Sequence, residues 1–135
     1  MKISTDANIL LRIALEDDAE QARAARGALL QASVIVIPTT ALCELVWVAG
    51  AGYRLTRAAI IAMLEALTAT DRAVYDEDAV NAGLDMLRAG GDFADGVIAF
   101  EGRRLGADVF VTFDRRAARR AAAAGYQTLI PITQH

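Results

Sequence analysis

Residues 91–116 decide the fold, beginning with Gly91-Asp92-Phe93-Ala94-Asp95 and ending with Val109-Phe110-Val111-Thr112-Phe113-Asp114-Arg115-Arg116. Asp92 and Asp95 are three residues apart, so a helix places both on one face. Val109–Val111 is a β-branched and aromatic run, typical of a buried parallel strand, and Asp114 follows where that strand stops. Open α/β sheets bind ligands at the carboxyl ends of their strands. The stretch therefore predicts three carboxylates at one sheet edge, where a hard divalent cation such as Mg²⁺ would relieve their repulsion.

Strand and helix patterns on both sides of this stretch extend the same architecture. The sequence predicts strands at 2–5, 34–37, 73–75, 109–111 and 128–130, which alternate with helices. This alternation indicates an α/β fold, a three-layer α/β/α sandwich whose central, mostly parallel sheet is covered on both faces. No repeat, linker or second domain is visible, so we expect residues 1–135 to form one domain, with a short tail at 134–135.

Three details of the helices can be predicted from single residues. Thr39 or Thr40 should cap the helix after the second strand, because a hydroxyl can accept a bond from the first turn. Gly50-Ala51-Gly52 should break that helix near Ala49. The preceding helix, at 17–31, should bury an apolar stripe at helical spacing, made of Ala22, Ala25, Leu29 and Leu30.

Composition excludes several classes of protein. The chain is 55% hydrophobic with a net charge of −3, which indicates a compact domain with no strong basic signal for nucleic acid. No apolar run reaches the roughly 18 residues of a membrane helix, and the N-terminus lacks an export signal. A single cysteine, Cys43, cannot form an internal disulfide. The cytoplasm is the expected compartment.

Two further carboxylates follow the first two strands. Asp6 comes directly after the first strand, and Glu44 lies in the helix after the second. In a parallel sheet, all five acids would lie near one edge. Asp6 and Asp92 also fit the simpler role of helix N-caps, and Asp114 that of a turn residue before a basic helix. Glu44 lies among apolar sequence neighbours, so we expect it to need a metal ion or an arginine as partner.

Other catalytic chemistries lack their essential residues. The only histidine is His135, the last residue, which argues against a serine triad, a histidine nuclease or a zinc site. A phosphate-accepting receiver domain would need a lysine late in the chain, but the only lysine is Lys2. No glycine-rich phosphate loop is present. Acid-and-metal chemistry remains, in which divalent ions activate water and stabilise a leaving oxygen during phosphodiester cleavage.

Four motifs in order resemble those of PIN-domain ribonucleases. They are Asp6-Ala7-Asn8-Ile9-Leu10, Glu44-Leu45-Val46-Trp47-Val48, Asp92-Phe93-Ala94-Asp95-Gly96-Val97-Ile98-Ala99 and Thr112-Phe113-Asp114. Their order and the short chain are most similar to VapC, the toxin of bacterial type II toxin–antitoxin pairs. The departures are small: Ala7 stands where Thr or Ser is frequent, Gly96 where Ala is usual, and Gly50-Ala51-Gly52 where charged residues are common.

The resemblance implies a role for each matching residue. Asp6 and Asp95 would be the principal Mg²⁺ or Mn²⁺ ligands, Glu44 and Asp114 would complete the cluster, and Asp92 would be a supporting ligand. Asn8 and Thr112 would orient these acids or contact a phosphate. Arginines are concentrated in the C-terminal third of the chain. Two explanations fit them equally well: a basic surface that holds the RNA backbone, and an ordinary solvated helix face. The candidate RNA contacts are Arg103, Arg104, Arg115 and Arg116.

The resemblance also implies partners. The leading hypothesis is a metal-dependent endoribonuclease toxin, silenced by a VapB-like antitoxin whose arginine pairs with the acids and whose apolar side packs near Leu42, Val46 and Ile61. A homodimer is expected because residues 41–67 carry more apolar surface than one small core readily hides, notably at Leu42, Val46, Trp47, Tyr53, Ile60 and Leu64. The alternatives are a PIN-like binding module that dimerises with a DNA-binding partner and cleaves little, and a housekeeping PIN nuclease without an antitoxin.

Overall fold

The structure, a computed structural model, describes residues 1–133, so the tail predicted at 134–135 lies outside the described residues. The chain folds into two compact units, Met1–Asp76 and Glu77–His135. Each unit has its own parallel ladder of strands. Within the described part of the chain, no helix has the length and apolar character needed to cross a membrane.

The first unit alternates three strands with four α-helices. The strands pair in the order β1-β2-β3, all parallel, and the core includes the fully buried Leu42, Leu45 and Leu64. The elements are β1 (Lys2–Ser4), α1 (Ala7–Leu15), α2 (Ala19–Leu30), β2 (Val34–Val36), α3 (Thr39–Trp47), a π-helical turn (Val48–Gly52), α4 (Arg57–Thr68) and β3 (Ala73–Val74).

α3 differs from the prediction at both ends. Its N-cap is Pro38, whose extended backbone (φ −63°, ψ 141°) turns the chain into the helix without any side-chain cap, so the predicted threonine cap is wrong. The winding also does not break at Gly50. It widens into the π turn, which the Tyr53 N–H closes by donating to the Val48 carbonyl at 3.2 Å. Small residues leave room for this wider turn, and π turns of this kind occur frequently at functional sites.

The apolar stripe of α2 is narrower than predicted. Ala22 and Ala25 are buried and Leu29 is half-buried, but Leu30 is 74% exposed. Adjacent helical residues are about 100° apart around the axis, so Leu30 falls outside the stripe that packs on the core. The prediction for Leu30 is therefore wrong.

The second unit joins three helices to two strands. β4 and β5 pair in parallel, with Val109 opposite Gln127 and Val111 opposite Leu129. The predicted α/β class with parallel strands is confirmed, and the five strands fall into one ladder of three and one of two. The elements are α5 (Glu77–Arg88), α6 (Phe93–Arg104), β4 (Val109–Val111), α7 (Arg115–Ala123) and β5 (Gln127–Leu129).

β4 is not the buried strand that its sequence indicates. Val109 is 39% exposed and Val111 54% exposed, while Phe110 is half-buried. Successive strand residues point to opposite faces, so Val109 and Val111 share one face of the ladder, and that face is partly open to solvent. The β-branched run therefore predicts the strand correctly but not its burial.

α5 and α6 pack unusually closely, and two glycines permit it. A Cβ at Gly96 would lie 2.4 Å from the carbonyl oxygen of Ala82, and one at Gly83 would lie 2.5 Å from the ring of Phe93. Phe93, fully buried at the start of α6, fills the space that Gly83 leaves. This packing fixes the first turn of α6, which carries Asp95.

Candidate active site

The N-terminus of α6 holds two of the predicted carboxylates. Asp92 is the N-cap, and its Oδ1 accepts a hydrogen bond from the Ala94 N–H at 3.3 Å. Asp95 lies in the first turn and is half-buried. One acid therefore caps the helix, and the next lies inside its first turn. A helix N-terminus favours negative charge, which offsets part of the repulsion between them.

Asp114 begins α7 directly after β4. Its Oδ1 accepts hydrogen bonds from the backbone N–H groups of Arg116 (2.9 Å) and Ala117 (3.1 Å), so Asp114 is a helix N-cap as well as a turn residue. The Thr112 hydroxyl accepts a bond from the Asp114 N–H at 3.0 Å. The Thr112 N–H in turn donates to the Leu129 carbonyl of β5 at 3.1 Å. Thr112 therefore positions Asp114 through the backbone.

Asp95 is affected electrostatically by the other two acids of the second unit. The pKa of Asp95 is raised above its ordinary value of 3.8, first by burial and then by the negative charges of Asp92 and Asp114. The described residues contain no group of three or more His, Cys, Asp or Glu close enough to hold a metal ion together. Mg²⁺, however, is commonly bound by one or two carboxylates, with water filling the remaining positions. The carboxylates present fit that donor set.

The raised pKa of Asp95 makes the stability of the apo protein depend on pH. Below pH 3.8 the carboxyl is neutral in both the folded and unfolded states; as the pH rises through its raised folded pKa, ionisation destabilises the folded state. Asp95→Asn should therefore match wild type well below pH 3.8, near pH 3, and be the more stable protein at pH 7. Urea unfolding in EDTA at both pH values measures this. A stability difference that is the same at both pH values, or an equal gain from the exposed control Asp71→Asn, would refute it.

In the first unit, Asp6 has the predicted place after β1. It is the N-cap of α1, and its Oδ1 accepts a bond from the Ile9 N–H at 2.9 Å. Thr5, just before it, is buried, and both its N–H (3.0 Å) and its hydroxyl (3.1 Å) donate to the Val36 carbonyl. Thr5 therefore fixes the end of β1 that presents Asp6. Thr5 was not among the residues identified from the sequence. A threonine directly before an acid at the end of a strand could have indicated this positioning role.

Glu44 does not need the predicted buried partner. It is exposed, and Trp47, one turn further along α3, is 72% exposed. The apolar residues Leu42, Leu45 and Val46 pack inward, so its sequence neighbours do not surround Glu44 in space. Asn8, also exposed, makes no side-chain hydrogen bond with the described residues.

The five acids divide between the two units. Asp6 and Glu44 belong to the first unit, and Asp92, Asp95 and Asp114 to the second. The charges that raise the pKa of Asp95 both belong to the second group. Convergence of all five on one sheet edge remains a prediction.

A second polar cluster, in the first unit, is not evident from the sequence. Asp17 accepts hydrogen bonds from the Tyr53 hydroxyl and from Arg12, each at 2.8 Å. The Tyr53 bond first, and then the Arg12 bond, hold the pKa of Asp17 below its ordinary value. These bonds connect the end of α1 with Tyr53, the residue after the π turn. They therefore stabilise the π turn that follows the helix of Glu44.

The four arginines chosen as RNA contacts lie at the ends of two helices. Arg103 and Arg104 lie in the last turn of α6, where cations are favourable. Arg103 stacks on Tyr126, and Arg104 lies over Phe100 and pairs with Glu101 at 3.4 Å. Arg115 and Arg116 are exposed in the first turn of α7, where the helix dipole disfavours cations.

The comparisons with known proteins give one finding. The family model of the PIN domain matches residues 3–123, a range that spans both units and contains all five acids. No curated protein and no solved structure matches the chain.

Proposed function

The chain belongs to the PIN-domain family, and from this membership we propose that it is an endoribonuclease that cleaves RNA phosphodiester bonds with Mg²⁺ or Mn²⁺. PIN domains are generally nucleases. The observation that carries the proposal is the raised pKa of Asp95 beside Asp92 and Asp114. A bound divalent cation would offset both the cost of burying the charged carboxylate and its repulsion by the two neighbouring charges. The match across both units also supports a single PIN domain over residues 1–135.

Each acid has a defined part in this proposal. Asp95 and Asp6 would be the principal metal ligands; Glu44 and Asp114 would act directly or through water, and Asp92 would be a supporting ligand. The caps at Asp6, Asp92 and Asp114 each use only Oδ1 in their hydrogen bonds among the described residues, which leaves Oδ2 for a cation. The bound metal would activate water for attack on the phosphodiester. Thr112 and Thr5 hold the backbone beside Asp114 and Asp6, which keeps the carboxylates in place.

The arginines would bind the RNA backbone and offset the repulsion between the acids and phosphate. Arg115 and Arg116 directly follow Asp114, so they are the arginines placed closest in sequence to a metal ligand. Arg103 and Arg104 add positive charge at the other end of α6. Binding of this kind weakens with salt, because each neutralised phosphate releases counterions.

The double variant Arg115→Gln/Arg116→Gln should weaken RNA binding and flatten its salt dependence. If each arginine contacts one phosphate of a single strand, the slope of log affinity against log salt should fall by about 1.4. Fluorescence anisotropy of a labelled single-stranded RNA over a series of NaCl concentrations measures the slope. The control is Arg23→Gln, an exposed arginine of α2. An unchanged slope in the double variant would show that these arginines do not contact phosphate.

Within this function we further propose that the protein is the toxin of a VapBC-type pair and acts in the cytoplasm. The VapB-like antitoxin would place an arginine against the acids, since a guanidinium fork pairs well with carboxylates. Leu42 and Val46 are buried, so an antitoxin helix that packs near them would not contact these two side chains directly. Of that apolar group, Ile61 is half-buried.

The homodimer stays a proposal with a smaller basis. Leu42, Val46, Ile60 and Leu64 are buried in the first unit, so four of the six residues that suggested surplus apolar surface are core. Trp47 and Tyr53 remain exposed, at 72% and 38%. Large exposed aromatics are frequent anchors of interfaces, so a dimer through this face remains the expectation.

A binding module with little nuclease activity is the second candidate. It is favoured by one observation, the absence among the described residues of three acids close enough to share a metal. This protein would bind a DNA-binding partner without cleaving RNA.

Expression in bacterial cells separates these functions. Wild type and Asp6→Ala are induced in parallel, and the 5′ ends of cellular RNA are sequenced. A toxin nuclease predicts growth arrest and new RNA ends at defined sites in wild type only. New ends without growth arrest would indicate a nuclease without a toxin role, and no new ends in either strain would favour the binding module.

A further inference from the structure

A groove of about 720 Å³ in the second unit has no part in the proposed metal site. It is lined by one side of α6, by the strand β4 and by the turn before β5. Ile98 and Val111 are 55% and 54% exposed, so the groove is open to solvent. We call it the α6–β4 groove, and its principal lining residues are Ile98, Gly102, Arg103, Val109, Val111 and Tyr126.

α6 connects this groove to the acids. Ile98 and Gly102 follow Asp95 by three and seven residues, a spacing that places all three on one helix face. At about 1.5 Å per residue, Gly102 lies roughly 10 Å from Asp95 along the helix axis. A polymer that is held at Asp95 can therefore continue into the groove.

The far part of the groove offers a surface for stacking. The guanidinium carbon of Arg103 lies 4.0 Å from the centroid of the Tyr126 ring. Arg103 is exposed, so the outer face of its planar guanidinium is accessible to another flat group. Unpaired RNA bases stack on aromatic rings and on arginine planes. Asp108 and Gln127, which also line the groove, can accept or donate hydrogen bonds at a base edge.

Packing does not explain why residue 102 is a glycine. Glycine inside a helix lowers helix stability relative to alanine, and a Cβ at Gly102 would meet no atom within 4 Å. Its missing side chain keeps this wall of the groove flat. Gly27 of α2 has equally open surroundings and does not line the groove, so it is a matched control.

We propose that the α6–β4 groove binds an unpaired nucleotide of the RNA, with its base stacked on the Arg103–Tyr126 pair. This rests on the proposed ribonuclease function and adds a base-binding subsite to it, beyond the phosphate held at Asp95. An amphipathic peptide helix fits less well, because Arg103, Asp108 and Gln127 interrupt the apolar lining that such a helix would need.

The test compares Gly102→Leu with Gly27→Leu. Leucine favours helix over glycine at both positions, so both variants should melt at higher temperature than wild type. The probe is a fluorescein-labelled single-stranded RNA of about ten nucleotides, within the range of known single-strand sites, and its anisotropy is measured in EDTA. We expect Gly102→Leu to weaken binding by about tenfold, as loss of one stacked base does, and Gly27→Leu to leave it unchanged.

Wild type with modified RNA gives a second measurement that needs no variant. One abasic nucleotide is moved along the probe, and at one position it should weaken binding to wild type by about tenfold. Tyr126→Leu removes the aromatic stacking surface, so an abasic nucleotide at that position should no longer weaken binding further. Tyr126→Phe keeps the ring and should behave as wild type.

The outcomes separate this proposal from the nuclease function. Equal binding by Gly102→Leu and Gly27→Leu, with an abasic effect that Tyr126→Leu leaves intact, would overturn the groove proposal without affecting cleavage at Asp95. Equal RNA binding together with a change in molecular mass of Gly102→Leu by light scattering would make the groove a protein interface, which also overturns it. Selective loss of binding in a protein that cleaves no RNA would support the groove and contradict the nuclease.

Discussion

Replacing Asp95 with asparagine should lower Mg²⁺-dependent RNA cleavage by about a thousandfold or more. A metal supplies several kcal/mol of charge stabilisation, and about 1.4 kcal/mol corresponds to a factor of ten in rate. Asp95 is half-buried and repelled by Asp92 and Asp114, so it has the most to gain from a cation. The same change should stabilise the folded apo protein at neutral pH, because it removes the charge that burial disfavours.

The pairing of lost activity with gained stability is the informative result. Initial cleavage rates of a labelled RNA and urea unfolding in EDTA measure the two effects on the same preparations. The matched control is Asp85→Asn, an exposed acid of α5 in the same unit, which should change neither by much. Full activity in Asp95→Asn would remove this residue from the metal site. Lost activity with a large loss of stability would assign Asp95 a structural role instead.

Gly96→Ala should destabilise the protein by about 2 kcal/mol, within the usual cost of overpacking. The added Cβ would lie 2.4 Å from the Ala82 carbonyl oxygen and 2.8 Å from the Met86 Cβ. The first contact is with backbone, so α5 and α6 must move apart. This cost exceeds the gain of roughly 1 kcal/mol that alanine brings to a helix. Because Gly96 is adjacent to Asp95, cleavage should fall as well.

Gly27→Ala is the control for the helix contribution alone. No atom lies within 4 Å of a Cβ at Gly27, so this variant should be more stable than wild type by up to about 1 kcal/mol. Urea midpoints of the three proteins give the comparison. A Gly96→Ala protein as stable as Gly27→Ala would mean that α5 and α6 are not held at the close distance seen here.

Much of the chain can be predicted from local patterns. The five predicted strands agree with the structure to within one residue at each end. The caps at Asp6 and Asp92 follow from the sequence because short acidic side chains satisfy the first N–H groups of a helix. The resemblance of four motifs to PIN-domain ribonucleases agrees with the family match over 3–123.

The misplaced residues depend on packing that no local pattern contains. Glu44 has apolar neighbours in sequence, but the helical turn directs them inward and leaves Glu44 exposed. Val111 has a residue type typical of buried strands, yet it is 54% exposed on one face of a two-stranded ladder. Gly96 departs from the alanine usual in the resembling family, and the close approach of Ala82 on α5 explains it. In each case the exposure or residue type depends on how the helix or strand packs against the rest of the structure, which the local sequence does not show.

Cleavage of a labelled single-stranded RNA by the purified chain in EDTA, and again after Mg²⁺ is added in excess of the chelator, tests the metal-dependent acidic site most directly. Asp95→Asn, purified in parallel, controls for contaminating ribonuclease. We expect no cleavage by either protein in EDTA, and cleavage by wild type alone once Mg²⁺ is present. Wild-type cleavage that persists in EDTA, or equal cleavage by both proteins in Mg²⁺, would contradict a metal-dependent nuclease site at Asp95.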